Sequence, residues 1–191
     1  MWLIVPSGKG VISRDSLVGI FYNGHRHDVD YQSSIGVTMT EKLSSVLVEA
    51  VNDEYKARAM YRLVISNFGE IRPFINIVDA ESRHIQALLP LFKKYGIPIP
   101  EDDWESRVEC PVSILEACQA GVQAEIDNAE MYEKLLDSTK QYPDVQVVLK
   151  QLQRASRENH LPAFQRCVER GGGAGEGQCM GRQHRRGHRS N

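Results

Sequence analysis

Glu81 and His84 lie three residues apart in an apolar stretch bounded by Phe74 and Leu89. On a helix, at about 100° per residue, such a pair returns to nearly the same face. That face is also the apolar one, formed by Phe74, Ile77, Val78, Ile85, Leu88 and Leu89. A carboxylate on a core-facing stripe is costly unless a partner neutralises it. One helix face cannot surround an ion, so other helices must bring further polar groups to Glu81. A carboxylate and an imidazole one turn apart form half of a metal clamp. Glu54, Glu125 and His160 are the groups best placed to complete it.

An internal repeat singles these residues out. The run from Glu54 to Tyr61 and the run from Glu125 to Tyr132 share glutamate, methionine and tyrosine in register. In each run the tyrosine follows the glutamate by two helical turns and shares its face. His84 follows Glu54 by 30 residues and His160 follows Glu125 by 35. The two halves read as copies of one helical hairpin, with histidines facing matched glutamates across a pseudo-twofold axis.

Capping and breaker signals place the helices. Thr38-Met-Thr-Glu41 is a capping box and predicts a first helix from Thr38. Leu43, Val46, Leu47, Ala50 and Val51 carry it on to Phe68, with Gly69 as the stop. Glu54 falls on its inner face amid Val51, Ala57, Arg58 and Tyr61. A second helix begins near Pro73, is expected to kink near Ala87 ahead of Pro90, and ends at Gly96. Ile97 to Asp103 reads as an extended crossover. Ser113-Ile-Leu-Glu116, a second capping box, opens a third helix to about Thr139. A fourth runs from Pro143 to Arg170, with Val147, Val148, Leu152, Ala155, His160 and Phe164 facing inward. Pro162 should distort it just past His160. The expected fold is all-α, an antiparallel four-helix bundle over residues 38–170 made of two helical hairpins and a crossover. An irregular N-terminal arm over residues 1–37 and a disordered glycine- and arginine-rich tail over residues 171–191 complete the expected organisation.

Composition narrows the function. A chain of 191 residues, 41% of them hydrophobic, buries one real core without staples. A net charge of −2 argues against general affinity for nucleic acid or anionic membrane. The tail carries Arg182, Arg185, Arg186 and Arg189, yet lacks aromatic residues, so it reads as solvated rather than RNA-binding. Metal capture by Cys179, His184 and His188 is the other reading of that tail. His25, His27, Asp28 and Asp30 likewise read as a solvated loop, because no partner spacing completes a site. Trp2–Val5 and Leu17–Tyr22 have the character of short strands. Cys110, Cys118, Cys167 and Cys179 form no paired-cysteine motif, which leaves zinc-knuckle and rubredoxin-type centres without support. Their spacing suggests no disulfide framework, so a reducing compartment is expected. With neither a signal-peptide pattern nor a membrane span, a soluble cytoplasmic protein is expected.

The matched glutamate–tyrosine runs, Glu81-Ser-Arg-His84, Leu88 to Gly96 and Asn159 to Phe164 together resemble the ferritin-like di-iron carboxylate proteins, rubrerythrins in particular. More narrowly, they are similar to an uncharacterised prokaryotic group of ferritin-like domains of unknown function. The likeness covers about residues 40–170. It implies a metal centre held by Glu54, Glu81, His84, Glu125 and His160. It implies iron, as two ions or as one if the site is degenerate, with manganese suited to the same donors. The implied activity is that of a non-haem di-iron oxidoreductase, a peroxidase or ferroxidase reacting with oxygen or hydrogen peroxide. Reductant would come from an external donor, and a homodimer is compatible with the family. Tyr61 and Tyr132 would be hydrogen-bond partners of the ligands or redox-active, or else plain core tyrosines with satisfied hydroxyls.

One departure stands out. The full pattern has six ligands and puts a glutamate three residues before His160, where this chain has Arg157. Glu158 lies about 200° round the helix from His160 and should face away. The departure points either to an asymmetric centre or to a remnant in which Arg157 supplies the missing charge, and restoring a carboxylate at position 157 would separate the two. The alternative function is a non-catalytic helical bundle acting as a binding or structural module. Its cluster would be buried ion pairs of Glu54 and Glu81 with Arg58 or Arg83.

Overall fold

A computed structural model of the protein describes residues 27–172, with side chains described from Met39 onward. These residues are all-helical, with no strand among them. The helices are α1 (His27–Phe68), α2 (Phe74–Tyr95), α3 (Ile114–Ser138), α4 (Pro143–Ala155) and α5 (Leu161–Glu169). A 3₁₀ turn, Trp104–Ser106, sits in the crossover, and a π-helical turn, Ser156–His160, joins α4 to α5. The chain divides into two compact units, Met1–Val37 and Thr38–Asn191, and the core and site lie in the second.

α1 begins earlier than the capping box suggested. Helix continues through Thr38 from His27, so residues 27–37 are not irregular. A capping box favours a start but does not forbid helix upstream, and the lone breaker there, Gly36, costs only about 1 kcal/mol. The proposed strands Trp2–Val5 and Leu17–Tyr22, His25, and the cysteine and histidines of the tail lie outside the described residues. The stop at Gly69 is as expected, with φ 92°, and Gly96 closes α2 at φ 63°. Ser113 caps α3, its Oγ accepting from the Glu116 amide at 3.1 Å. α2 runs unbroken through Pro90.

Two apolar clusters enclose a polar layer. One joins Leu47, Val51, Leu88, Phe92, Tyr132 and Leu149 with their neighbours. The other joins Tyr61, Val64, Phe74, Cys118, Phe164 and Cys167. Glu81, Glu125 and His160 fall between them in sequence, Glu54 stands at the edge of the first cluster on α1, and all four are at most 5% exposed. On α4 the inward residues are Val145, Leu149 and Leu152, whereas Val147 is 56% exposed. The expected inward place of Val147 is thus corrected: a four-residue step from Val145 sets the buried stripe.

Cys118 of α3 and Cys167 of α5 form a disulfide, with Cα atoms 5.9 Å apart. This overturns the expectation that the cysteines form no disulfide framework, and with it the argument for a reducing compartment. Their 49-residue separation holds no local signature, and only the packing of α3 on α5 brings them together. That packing is close because Gly121 has no side chain. A Cβ there would come within 2.6 Å of the Phe164 ring.

Candidate metal centre

The five ligand candidates arrive on four elements. Glu54 is on α1, Glu81 and His84 are on α2, Glu125 is on α3 and His160 ends the π turn. The His84 Nδ1 lies 2.8 Å from Glu81 Oε2 and 3.0 Å from Glu54 Oε2. The His160 Nδ1 lies 3.4 Å from Glu81 Oε1 and 3.5 Å from Glu125 Oε1. Glu81 therefore turns one oxygen to each histidine. Two groups result, Glu54–Glu81–His84 and Glu81–Glu125–His160, with the donor atoms of each within 4.8 Å of one another. The imidazole rings stack with centroids 5.5 Å apart. All five residues read from the sequence are brought together.

The two tyrosines cross the repeat. Tyr132 of α3 donates to Glu54 Oε1 at 2.6 Å, and Tyr61 of α1 donates to Glu125 Oε1 at 3.4 Å. Each phenol thus holds the glutamate of the other hairpin. This reciprocity runs α1 and α3 antiparallel at the site. Burial, reinforced by the neighbouring carboxylates, pushes both hydroxyls well above the ordinary tyrosine range, so both stay neutral donors.

Charge is the unsolved part of the protein-only cluster. Among the described residues no lysine or arginine pairs with Glu54, Glu81 or Glu125. Arg58 pairs with Asp102 and Arg157 with exposed Glu133. The ion-pair reading with Arg58, and the idea that Arg157 neutralises the site, are both corrected by these partners. Burial and then Glu54 push Glu81 well above the carboxylate range, which keeps a proton on it. Burial also raises Glu54, but its hydrogen bonds to His84 and Glu81 win and hold it below its usual value. Burial opposes charge on His84, yet its two glutamates outweigh that and raise it to about 10.

The π turn decides which side chain before His160 faces inward. Buried residues recur here every fourth position, at Leu152, Ser156 and His160, while Arg157, Glu158 and Asn159 are exposed. Pro162 lacks an amide hydrogen and clashes with the carbonyl four residues back, and a π turn accommodates both. The expected distortion therefore falls before His160 rather than after it. As a result Ser156, not position 157, faces inward, and its Oγ reaches the Glu125 carbonyl oxygen at 3.4 Å.

Ser156 also lines a cavity of about 520 Å³ that opens onto Glu54, Glu81, Glu125 and His160. Asp53 and Asn128 flank the cluster in the same cavity, and neither was legible in the sequence. Asn128 Nδ2 donates to Asp53, while Asn128 Oδ1 is buried without a partner among the described residues. Burial and the charge of Glu54 push Asp53 up to about 6. The matching repeat positions are Ala124 and Ala57, so the repeat that exposed the ligands holds no signal for this pair.

Fold and site define an all-helical protein with a buried carboxylate–histidine cluster. The uncharacterised protein MJ0754 of Methanocaldococcus jannaschii is 30% identical over 146 residues, spanning 68% of this chain and 77% of that protein. The chain belongs to the family of that archaeal protein. No family model matches the chain, and no solved structure matches it significantly.

Proposed function

We propose that the chain is a ferritin-like metal protein, an antiparallel four-helix bundle whose centre binds two divalent ions and serves as a non-haem di-iron oxidoreductase. Manganese suits the same oxygen and nitrogen donors, but iron has the redox chemistry the function needs. The observation that carries this reading is Glu81, whose two oxygens are directed to two histidines in two donor groups. Buried carboxylates with no cationic side chain as partner fit the group, since an ion would replace the protons on Glu81 and His84. Glu54, Glu81 and His84 would hold one ion, and Glu81, Glu125 and His160 the other.

When bound, iron supplies electrons to oxygen or hydrogen peroxide, and an external donor restores them. The chain's own residues prepare that chemistry. Tyr132 and Tyr61 orient Glu54 and Glu125, and as neutral phenols they leave the carboxylates charged. The two apolar clusters keep bulk water from the ends of the polar layer. No helix among the described residues is long and apolar enough to cross a membrane. The Cys118–Cys167 disulfide removes the cysteine argument for a reducing compartment, so the cytoplasmic placement we propose rests on the sequence patterns alone.

Metal content per chain, measured by mass spectrometry after anaerobic loading with ferrous iron, tests the reading. About two irons per chain are expected. No iron, with helicity intact, would leave the second reading, a helical module whose function lies on its surface.

A further inference from the structure

Cys110 lines the cavity that opens onto the carboxylate–histidine cluster, together with the exposed acids Glu109, Glu116 and Asp127. Its sulfur is disulfide-bonded. The chain has four cysteines, and Cys118 and Cys167 are joined to each other. Cys179 is therefore the one cysteine of the chain left as its partner. The described chain ends close to Cys110. The Gly172 amide donates to the Cys167 carbonyl oxygen at 2.9 Å, and a Cβ on Gly172 would come within 2.6 Å of the Leu115 nitrogen at the start of α3. Cys110 precedes Leu115 by five residues, which span at most roughly 18 Å, whereas the seven residues from Gly172 to Cys179 can span roughly 25 Å. Charge favours the same placement. Lys56 is the only lysine or arginine lining the cavity, while the sequence after Gly172 carries Arg182, Arg185, Arg186 and Arg189 against Glu176 alone.

We propose that a Cys110–Cys179 disulfide ties the segment after Gly172 across the acidic mouth of this cavity, as a strap that limits the entry of cations. The tie stands on the cysteines alone, whereas its effect on metal entry rests on the metal reading above. Each thiol loses a proton as the sulfur–sulfur bond forms, and the two electrons reduce an oxidant disulfide to two thiols. Exchange with a second disulfide therefore closes the strap, and a dithiol reductant opens it. Closed, the strap brings Arg182, three residues past the tie, to the acids of the mouth and offsets their charge. Open, it leaves Glu109, Glu116 and Asp127 to draw cations towards the cluster.

The test begins with the full chain, purified without reductant, alkylated and mapped by mass spectrometry. A glutamate-specific protease cleaves after Glu116 and separates Cys110 from Cys118, and trypsin cleaves after Arg170 and separates Cys167 from Cys179. The expected product is a peptide pair joined through Cys110 and Cys179. Cys110 recovered alkylated, or joined to Cys110 of a second copy, overturns the tie. The strap is then tested by the rate of cobalt(II) uptake at low salt. Cys110→Ser with Cys179→Ser leaves the Cys118–Cys167 bond intact and should take up cobalt about tenfold faster than wild type, because the acidic mouth is open to cations again. If that variant does not fold, as judged by circular dichroism, Arg182→Gln with Arg185→Gln and Arg186→Gln, which keeps the tie, takes its place with the same expectation. An unchanged rate overturns the strap and leaves the metal reading standing. If no form takes up cobalt, the metal reading fails, and hydrogen exchange at residues 108–116 decides the strap. Faster exchange in the variant sustains it, and equal exchange overturns it.

Discussion

The two halves of the centre are related by a repeat but differ in tightness. In the α1–α2 half, His84 meets Glu81 and Glu54 at 2.8 and 3.0 Å, and Tyr132 grips Glu54 at 2.6 Å. In the α3–α5 half the corresponding separations are 3.4, 3.5 and 3.4 Å. The loose half is also the one with the π turn and with a covalent tie at Cys118–Cys167. The repeat thus matches residue identity while local backbone geometry sets the halves apart. The α1–α2 half is preorganised by hydrogen bonds. The other is tied outside the site by the disulfide between α3 and α5.

The sharpest way to break this comparison is Glu81→Gln, because Glu81 belongs to both halves. It should abolish uptake of both ions as measured by mass spectrometry. In the metal-free protein Gln reproduces the protonated acid, so the Tm should be unchanged or higher. A fall of several degrees would mean that Glu81 serves as a structural ion pair.

The disulfide comes next. Removing it as Cys118→Ala with Cys167→Ala should cost about 4 kcal/mol, given the loop of 49 residues it closes. Urea unfolding checks the value. Metal lost from this variant should come mainly from the α3–α5 half.

The histidines compare the halves directly. His84→Ala should weaken metal binding more than His160→Ala, by about tenfold. Paired competition titrations would show it, and equal losses would remove the asymmetry. Binding at neutral pH should also release protons, because His84, raised to about 10, must give up its proton to an ion. Affinity therefore falls as pH falls, and calorimetry in buffers of different ionisation enthalpy counts the protons. In the metal-free protein the sign is opposite. The His84 pairing stabilises fully below the ordinary value of 6.5 and is lost as pH rises through about 10.

The smallest effects belong to the phenols. Tyr132→Phe should destabilise the metal-free protein by about 1.5–3 kcal/mol, as for a hydrogen bond to a charged group. Tyr61→Phe, at the longer contact, should cost no more than about 1 kcal/mol. Chemical denaturation of both variants gives the ranking.

Much of this site was legible because helices write their faces in a fixed period. Acids and histidines placed on apolar stripes stood out at Glu54, Glu81, Glu125 and His160, and the repeat picked the matched pairs. Asp53 and Asn128 were invisible because each sits off its helix's buried stripe and gains meaning only from the other. Cys118 and Cys167 lie on buried stripes, yet their pairing was invisible because residues on separate helices meet only in the packed chain.

The sequence by itself determined the helical stripes, the stop signals at Gly69 and Gly96, and the five acids and histidines that the fold brings together. Those follow from local periodicity, which one strand of text contains. Tertiary structure alone decided which oxygen of Glu81 faces which histidine, where Arg58 and Arg157 find partners, and that position 156 rather than 157 turns inward. The last of these follows from physics acting across a turn. Pro162 is compatible with a π turn, and one residue of altered winding rotates everything before it.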